Sequence, residues 1–362
     1  MDKSRAASAQ ELAKIRQGEE FDEAAVLRFL VSHTVELCLD QFPTSMSVLQ
    51  FPGGRSNLTY LLRLDGREFV LRRPPLGKLA PGAHDMGREF RVLSRLWQVY
   101  DRAPRAFCYC DDASLIGAPF FVMERREGTV IRYDIPQEMQ AHSNVERRVS
   151  FALVDALVDL HQADYNAVDL GGLGRPDGFL ERQLSGWTKR WEHSKTGDHA
   201  DFYKLEAWLE SNLPTAANIS LIHNDPKLDN CQFDAGNPDR VKSLFDWDMT
   251  TIGHSLVDLG TLLAYWSEAQ GQAEGNAVSA LSIFAKPGFP SGDEIAEYYA
   301  QKSGISLDQI LWYEAFALWK TAVVGQQVFA RYHRGQTRDE RFARMGERVP
   351  EILAAGLRRI SA

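Results

Sequence analysis

Apolar and polar positions in the first third of the chain alternate in the short runs that are typical of β-strands. Asp65-Gly66 joins two of these runs, and Asp-Gly between apolar segments is a strong signal for a β-hairpin. A stretch at 85–100 instead repeats its apolar residues at helical spacing. The strand-like runs lie at 47–51, 58–64, 68–72, 106–109 and 119–124. Together they predict a small lobe built from a sheet and one helix.

Helical spacing dominates the remainder of the chain. It begins near Arg147, and its later stretches include 315–332 and 338–360. The exception is a short β-like island at 221–233 and 241–245. This part of the chain therefore predicts a larger lobe that is mainly helical.

The N-terminal residues also look helical. An apolar stripe follows Asp22, which is a candidate N-cap. The patterns divide the chain into an N-terminal helical segment at 1–45, a β-rich lobe at 46–124 and a helical lobe at 125–362. A chain of this length is long enough for two lobes with a substrate between them.

The composition narrows the class of protein. With 362 residues, of which 44% are hydrophobic and 25% charged, the chain has the balance of a folded soluble protein. Its net charge of -8 argues against a nucleic-acid partner, because phosphate contacts need a basic surface. The polar N-terminus and the lack of any apolar run of about 18 residues predict a cytoplasmic protein with no membrane partner. Its four cysteines are too few for a disulfide framework and are expected to be reduced.

The most informative run extends from His223 to Asp248. Asp225 and Asn230 are separated by four residues, which is the D-x-x-x-x-N spacing of a kinase catalytic loop. Asp246 follows a short, mostly apolar strand, where kinases place a metal-binding aspartate. Phosphoryl transfer needs one carboxylate to orient the acceptor hydroxyl, and an amide and a second carboxylate to hold magnesium. The combination predicts kinase chemistry, although each element alone would also fit an ordinary capped loop.

These motifs resemble those of the phosphotransferase family that includes aminoglycoside and choline kinases. The resemblance spans roughly residues 46–340. Further segments are similar to the kinase module fused to certain acyl-CoA dehydrogenases and to its free-standing bacterial relatives, namely 69–75, 88–93, 123–125, 160–161 and 183–187. The resemblance implies an α+β, protein-kinase-like fold with two lobes and with ATP between them. The small lobe would be an antiparallel β-sheet, and the larger lobe would be mainly helical.

The resemblance also implies roles for the residues of the central run. Asp225 would be the catalytic base, and Lys227 would contact the γ-phosphate. Magnesium would be held by Asn230 and Asp246. Asp248 would be an additional ligand to the metal or to water.

The small lobe would supply the nucleotide contacts. A glycine-containing loop between two strands could approach phosphate closely, with the candidates Gly53, Gly54, Ser56 and Asn57. Arg72 takes the strand position where kinases carry an ATP-contacting lysine, and strand alternation makes Arg73 the weaker candidate. Glu89, on the predicted helix, would pair with that arginine. Met123 and Glu124 would belong to the hinge that contacts adenine.

Structural explanations stay open for several of these residues. The glycine loop could be an ordinary hairpin turn, and Arg72 with Glu89 could be only a structural ion pair. His223 is expected to be a buried, hydrogen-bonded support for the loop. Asp258 is expected to brace the catalytic loop, and His161 is expected to end a helix in the core.

The resemblance implies an ATP- and magnesium-dependent O-phosphotransferase that acts on a hydroxyl of a small molecule. Its dehydrogenase-fused branch points to a hydroxyacyl thioester of coenzyme A. The alternatives are an aminoglycoside or amino-alcohol kinase, and a catalytically silent nucleotide-binding or scaffold protein. A cationic acceptor would favour an acidic cleft, whereas coenzyme A phosphates would favour arginines near its mouth, with candidates at Arg125, Arg182, Arg190, Arg331 and Arg334. The sequence leaves the acceptor, the choice between ATP and GTP and the oligomeric state open.

Overall fold

A computed structural model of the protein describes residues 12–51, 57–76, 84–215, 218–273, 283–337 and 340–361. For 267–273 and 341 the description is limited to the backbone.

The small lobe is built on an antiparallel sheet of five strands. These are β1 Met46–Gln50, β2 Leu58–Leu64, β3 Arg67–Arg73, β4 Ala106–Cys110 and β5 Phe120–Glu124. Their order across the sheet is β1-β2-β3-β5-β4. The hairpin prediction is confirmed, because Leu64 pairs with Arg67 across a two-residue turn. Asp65 and Gly66 in that turn both have positive φ, as a tight hairpin turn requires.

Two helices accompany this sheet, α1 Glu23–Ser32 and α2 Met86–Leu96. Asp22 caps α1 by accepting a hydrogen bond from the amide of Ala25 at 2.9 Å, and Asp85 caps α2 in the same way. The prediction that residues 1–45 are helical is wrong for most of the described part, because α1 is the only helix among residues 12–45. Ala13 instead exchanges two backbone hydrogen bonds with Gln50, at the outer edge of the sheet. Residues 1–11 lie outside the described residues.

The large lobe is mainly helical. Its helices are α3 Val145–Gln162, α4 Phe179–Ser194, α5 Ala200–Ser211, α6 Leu256–Ala273, α7 Gly292–Ser303, α8 Ile310–His333, α9 Glu340–Ala343 and α10 Met345–Ser361. The helix expected at 338–360 is divided at Arg344, between α9 and α10. Helix α8 packs against α4, α6 and α10 and is buried over most of its length. Its apolar residues therefore surround the helix and do not form a single stripe.

Four short strands form two antiparallel pairs in this lobe. β6 Ile219–Ile222 pairs with β9 Thr251–His254, and β7 Cys231–Asp234 pairs with β8 Asn237–Leu244. The sequence pattern does not predict β9, which is short and contains Gly253. The glycine is needed because a Cβ atom there would lie 2.6 Å from the ring of Phe179 and 2.8 Å from Ile222. The loops that follow β6 and β8 carry the candidate motifs.

Two apolar cores hold these elements together. One fills the large lobe and extends to the α2 side of the sheet, and the other lies between the opposite side of the sheet and α1. The sheet lobe and the helical lobe confirm the predicted α+β, two-lobed architecture. Within the described part of the chain, no helix combines the length and the apolar character needed to cross a bilayer.

Candidate active site

Helix α6 holds the loop between β6 and β7, which carries the candidate catalytic residues. Asp258, in the first turn of α6, is fully buried. Its carboxylate accepts hydrogen bonds from the backbone amides of His223 at 2.7 Å and Asn224 at 2.6 Å. Asn224 has a φ of 72°, a left-handed conformation that asparagine tolerates better than most residues. Asp258 therefore braces the loop, as the sequence predicts.

A contact between His161 and Asp258 extends this brace. His161 Nε2 lies 3.1 Å from the Asp258 carboxylate, and His161 Nδ1 lies 2.8 Å from the hydroxyl of Tyr299. Burial alone would raise the pKa of Asp258, but the contacts with His161 and with the loop lower it. His161 is a buried residue in the last turn of α3, as predicted, and it also connects α3 to α6 and α7.

His223 supports the loop from within the core. Its ring is fully buried, and its centroid lies 4.9 Å from that of Trp247. His223 Nε2 is 3.1 Å from the carbonyl oxygen of Phe245, and its Nδ1 is 3.4 Å from the amide of Asp225. In this arrangement Nδ1 accepts from the Asp225 amide and Nε2 donates to the Phe245 carbonyl oxygen. His223 thus connects the loop after β6 to the loop after β8.

Three donors orient the carboxylate of Asp225. The hydroxyl of Tyr265 donates to Oδ1 at 2.8 Å. On the other side, Lys227 Nζ lies 2.9 Å from Oδ2 and Asn230 Nδ2 donates to Oδ2 at 3.1 Å. Burial opposes the charged form of Lys227, but Asp225 and Asp229 raise its pKa above the usual value. The carboxylate therefore has a fixed direction and a cation beside it.

The loop after β8 brings Asp246 and Asp248 beside the first loop. The amide of Phe245 donates to the carbonyl oxygen of Asn230 at 3.0 Å. Burial opposes the charged form of Asp246, but its ion pair with Arg72 outweighs burial and lowers the pKa. At Asp248, burial and the charge of Asp246 raise the pKa to about 6. The site thus collects several carboxylates whose charges affect one another.

Arg72 connects the two lobes through its side chain. Its guanidinium lies 3.0 Å from the carboxylate of Glu89 and also pairs with Asp246. Burial opposes its charge, but these two carboxylates raise its pKa. Burial also raises the pKa of Glu89, to about 7, against the effect of Arg72. Arg73 points to the other side of the strand and donates to the carbonyl oxygen of Ile116 at 3.0 Å, as alternation predicts.

The remaining candidates for nucleotide contact differ in their surroundings. Asn57 is buried, and its Oδ1 lies 2.8 Å from Nδ1 of His84. Met123 is a buried core residue at the end of β5. Glu124 pairs with Arg126 at 2.9 Å, so its carboxylate is bound by a neighbouring side chain. Gly53, Gly54 and Ser56 lie outside the described residues.

The geometry of the two loops agrees with a family comparison. A family model described as "Phosphotransferase enzyme family" matches residues 47–295. The match includes the sheet, α2, both loops and Asp258, and it covers more than half of the chain. The chain belongs to the phosphotransferase enzyme family. This membership confirms the predicted enzyme class at the level of a phosphotransferase.

Solved structures of other phosphotransferases have the same fold. A Ralstonia eutropha protein whose name assigns it to the aminoglycoside phosphotransferases is 28% identical, with a TM-score of 0.77 over 94% of this chain and 98% of that one. Choline kinase from Cryptosporidium parvum is 10% identical, with a TM-score of 0.63 over 94% and 97% of the two chains. The kinase-like fold that the sequence predicts is confirmed.

Curated relatives of this phosphotransferase are longer proteins. Acyl-CoA dehydrogenase family member 11 is 31% identical in Gallus gallus over 358 residues and in Homo sapiens over 353 residues. These matches cover 95% and 96% of this chain but 44% of each relative. The similarity to proteins named acyl-CoA dehydrogenase family members agrees with the resemblance noted in the sequence.

Two residues that contact the candidate catalytic loop are not among those predicted from the sequence. Tyr265 contacts Asp225 from α6, and Lys320 contacts Asn224 from α8. Neither belongs to a local motif, and both lie far along the chain from the loop that they contact. The only sequence signals of these contacts are a tyrosine and a lysine within the mainly apolar runs 262–266 and 315–325.

Proposed function

We propose that this kinase transfers the γ-phosphate of ATP, with magnesium, to a hydroxyl of a small molecule, and that Asp225 is its catalytic base. The observation that carries the proposal is the junction of the two loops, where the Phe245 amide binds the Asn230 carbonyl. This bond places the metal candidates Asn230 and Asp246 together, beside Asp225. Positioning and electrostatic stabilisation supply most of the catalysis in phosphoryl transfer.

Asp225 would orient the acceptor hydroxyl and accept its proton. Tyr265, Lys227 and Asn230 hold its two oxygens by donated hydrogen bonds, which fixes the direction of the carboxylate. Each carboxylate oxygen accepts more than one hydrogen bond, so Oδ1 can receive a hydroxyl as well as Tyr265. Lys227 lies beside this carboxylate as a cation that can meet the γ-phosphate.

Arg72 would contact the ATP phosphates in place of the usual lysine. Its bonds to Glu89 and Asp246 hold the guanidinium between the lobes. Asn57 contacts His84, whose pKa is lowered by burial and also by the charge of Arg72, which is consistent with a position near the same region. The glycine loop at 53–56 would complete the phosphate contacts, and β5 would form the hinge.

The donor set fits magnesium, which prefers oxygen ligands and keeps several waters. Among the described residues, no three His, Cys, Asp or Glu side chains are grouped to hold a metal by themselves. Asn230 uses its Nδ2 for Asp225, which leaves its Oδ1 for a metal. Asn230 and Asp246 would hold the ion together with the phosphates, and Asp248 would be an additional ligand. When bound, the ion neutralises charge on the phosphate oxygens.

A hydroxyacyl-CoA is the acceptor that we favour. The relatives named acyl-CoA dehydrogenase family member 11 support this class of acceptor. Of the five candidate arginines, Arg125, Arg182 and Arg334 are engaged by neighbouring groups. Arg190 and Arg331 are exposed, and each lies over an aromatic ring, that of Trp187 or Phe342, which leaves the edge of its guanidinium available for phosphate. These two arginines are therefore the better candidates for coenzyme A phosphates.

The large lobe contains an acidic cavity, but its position away from the catalytic loop does not support a cationic acceptor. The cavity, of about 360 Å³, lies between α4 and α5 and is lined by Glu181, Glu206 and Glu210. At 100° per residue, the α4 residues that line it point away from Trp187 and Arg190 on the same helix. Lys320, which contacts the catalytic loop, lies against Trp187. The glutamates thus face away from the side of α4 that adjoins the loop.

An acceptor panel tests this function. We expect ADP formation with magnesium and ATP to depend on a 4-hydroxyacyl-CoA, and not on aminoglycosides or amino alcohols such as choline. The matched control is the acyl-CoA of the same chain length without the hydroxyl, which should give no acceptor-dependent turnover. Turnover on an aminoglycoside or an amino alcohol would contradict the acceptor while supporting the kinase chemistry. ATP binding without turnover on any class would also contradict the proposed acceptor.

Replacing Asp246 tests the metal site. Asp246→Asn keeps the size of the side chain but removes a charged oxygen, so we expect the affinity for ATP in the presence of magnesium to fall by at least about tenfold. The affinity for ATP in the presence of a chelator should not fall, because Arg72 would be released towards the phosphates. Calorimetry under both conditions measures the difference. Asp248→Asn is the matched comparison and should have a smaller effect. An unchanged magnesium dependence in Asp246→Asn would rule out the assigned ligand.

A further inference from the structure

Lys320 is a buried cation that the roles proposed above do not use. It lies within α8, and only 7% of the residue is exposed. Its ammonium group donates to the backbone carbonyl oxygen of Asn224 at 2.9 Å. No carboxylate of the described residues lies within ion-pair distance of this ammonium. A full charge is therefore removed from water for a hydrogen bond to a neutral group, which is unfavourable for folding alone.

The carbonyl that Lys320 contacts belongs to the peptide that joins Asn224 to Asp225. The amide of Asn224 donates to Asp258 at 2.6 Å, and its side chain donates to the carbonyl oxygen of Met249 at 2.9 Å. Asn224 also has the left-handed φ of 72°. With Lys320 on the carbonyl, both peptide planes next to Asn224 are held. The starting direction of the Asp225 side chain depends on the second of these planes.

Packing does not require a lysine at this position. The nearby α8 residues Trp319, Ala322 and Val323 are fully buried and apolar. An apolar side chain at 320 would avoid the cost of desolvating an ammonium, but it would leave the Asn224 carbonyl without this donor. Burial lowers the pKa of Lys320, and the two carboxylates that oppose this effect are Asp225 and Asp258. Lys320 is thus close enough to the catalytic loop and its brace for their carboxylates to favour its charged form.

Helix α4 restricts the ammonium from another side. Lys320 Nζ lies 5.8 Å from the centroid of the Trp187 ring, and the guanidinium of Arg190 lies 4.4 Å from the same ring. A cation over an aromatic face is attracted by the ring quadrupole. The ammonium therefore lies between α4 and the catalytic loop, where the Trp187 ring attracts it and the like charge of Arg190 opposes it.

We propose that Lys320 is a positioning residue for phosphoryl transfer, which holds the Asn224–Asp225 peptide so that the Asp225 carboxylate faces the acceptor hydroxyl. The proposal rests on the proposed function, in which Asp225 is the base. Lys320 does not touch the reacting atoms and acts through the peptide that it binds. Small displacements of a catalytic group reduce the rate strongly, because the reacting atoms must be aligned within a fraction of an ångström.

The test compares Lys320→Met with a matched variant in the same helix, Gln326→Met. Gln326 is also buried and donates from α8 to a backbone carbonyl, that of Ser194, at 2.9 Å, but it does not contact the catalytic loop. Hydrogen exchange of peptides that contain residues 221–230 reports on the loop without any acceptor. The rate of ATP hydrolysis without acceptor and the turnover on the panel report on catalysis.

We expect Lys320→Met to accelerate exchange in the loop and to lower kcat by about 10- to 100-fold, with the KM for ATP changed less than about twofold. Gln326→Met should change neither quantity. Lys320→Gln keeps a neutral donor and is expected to recover part of the loss, and it also serves if Lys320→Met does not fold. Unchanged exchange in the loop would overturn the proposal, and so would faster exchange with an unchanged kcat. If the wild-type protein shows no turnover, the proposed kinase function is contradicted. The hydrogen exchange of residues 221–230 then decides by itself whether Lys320 holds the loop.

Discussion

Asp225→Asn is expected to lower kcat by about 10²- to 10⁴-fold while leaving the affinity for ATP within about twofold of wild type, because a positioned general base supplies a rate factor of this size. Asparagine has nearly the same volume as aspartate but cannot accept a proton at neutral pH. It also replaces one acceptor oxygen by an NH₂ group, which would face a donor such as Tyr265 or Lys227. The variant therefore loses both the base and the direction of the side chain.

Single-turnover and steady-state kinetics on the acceptor found in the panel measure this loss. Asp201→Asn is the matched control, since it removes the same charge from an exposed ion pair in α5. The control should keep kcat near the wild-type value. Asp225→Asn with turnover within threefold of wild type would show that another group acts as the base.

The features that the sequence predicts well are local along the chain. Asp65-Gly66 specifies its turn through the conformations of those two residues, so the hairpin needs no information from the rest of the molecule. The spacing from Asp225 to Asn230 is also local, because the two side chains meet within one loop. Strand alternation is similarly sufficient to place Arg72, and not Arg73, towards the site.

The features that the sequence does not predict depend on distant contacts. Tyr265 and Lys320 reach the loop from α6 and α8, and no spacing rule connects them to Asp225. The extent of helix before β1 is another case, because Ala13 pairs with Gln50 at a sheet edge and does not extend α1. In each case the competing interaction exists only once the tertiary fold has formed.

An ion pair between Arg72 and Asp246 connects the two lobes, and the sequence motifs alone do not predict this contact. Arg72 belongs to β3 and Asp246 follows β8, yet they form an ion pair in which both groups are largely removed from water. Glu89 of α2 holds the other side of the guanidinium. The lysine that kinases usually carry at this strand position would present one compact ammonium, whereas the guanidinium uses separate nitrogens, Nε towards Glu89 and a terminal nitrogen towards Asp246. The arginine thus suits a site with a carboxylate in each lobe.

Asp258→Asn is expected to lower the free energy of unfolding by about 3 kcal/mol, because it leaves buried donors without a charged acceptor. The wild-type carboxylate accepts from the amides of His223 and Asn224 and contacts His161. Asparagine keeps the volume, so no cavity contributes to the loss, but its NH₂ group would face one of these donors. Urea unfolding followed by tryptophan fluorescence measures the change.

Asp201→Asn is the matched control for this loss of stability. Asp201 also lies in the first turn of a helix, but its ion pair with Lys204 is exposed, so the expected change is below about 1 kcal/mol. Equal losses in the two variants would contradict the bracing role of Asp258.

The loss should also depend on pH with a defined sign. Because the folded pKa of Asp258 is lowered, its contribution is present above the unfolded pKa of about 3.9 and disappears as the pH falls through the folded value. The difference between wild type and Asp258→Asn should therefore be constant near neutral pH and shrink only in acid. A difference that shrinks instead as the pH rises above neutral would show that a group other than this carboxylate provides the stability. Since Asp258 holds the same loop that carries Asp225, Asp258→Asn should also lower kcat at temperatures where the variant remains folded.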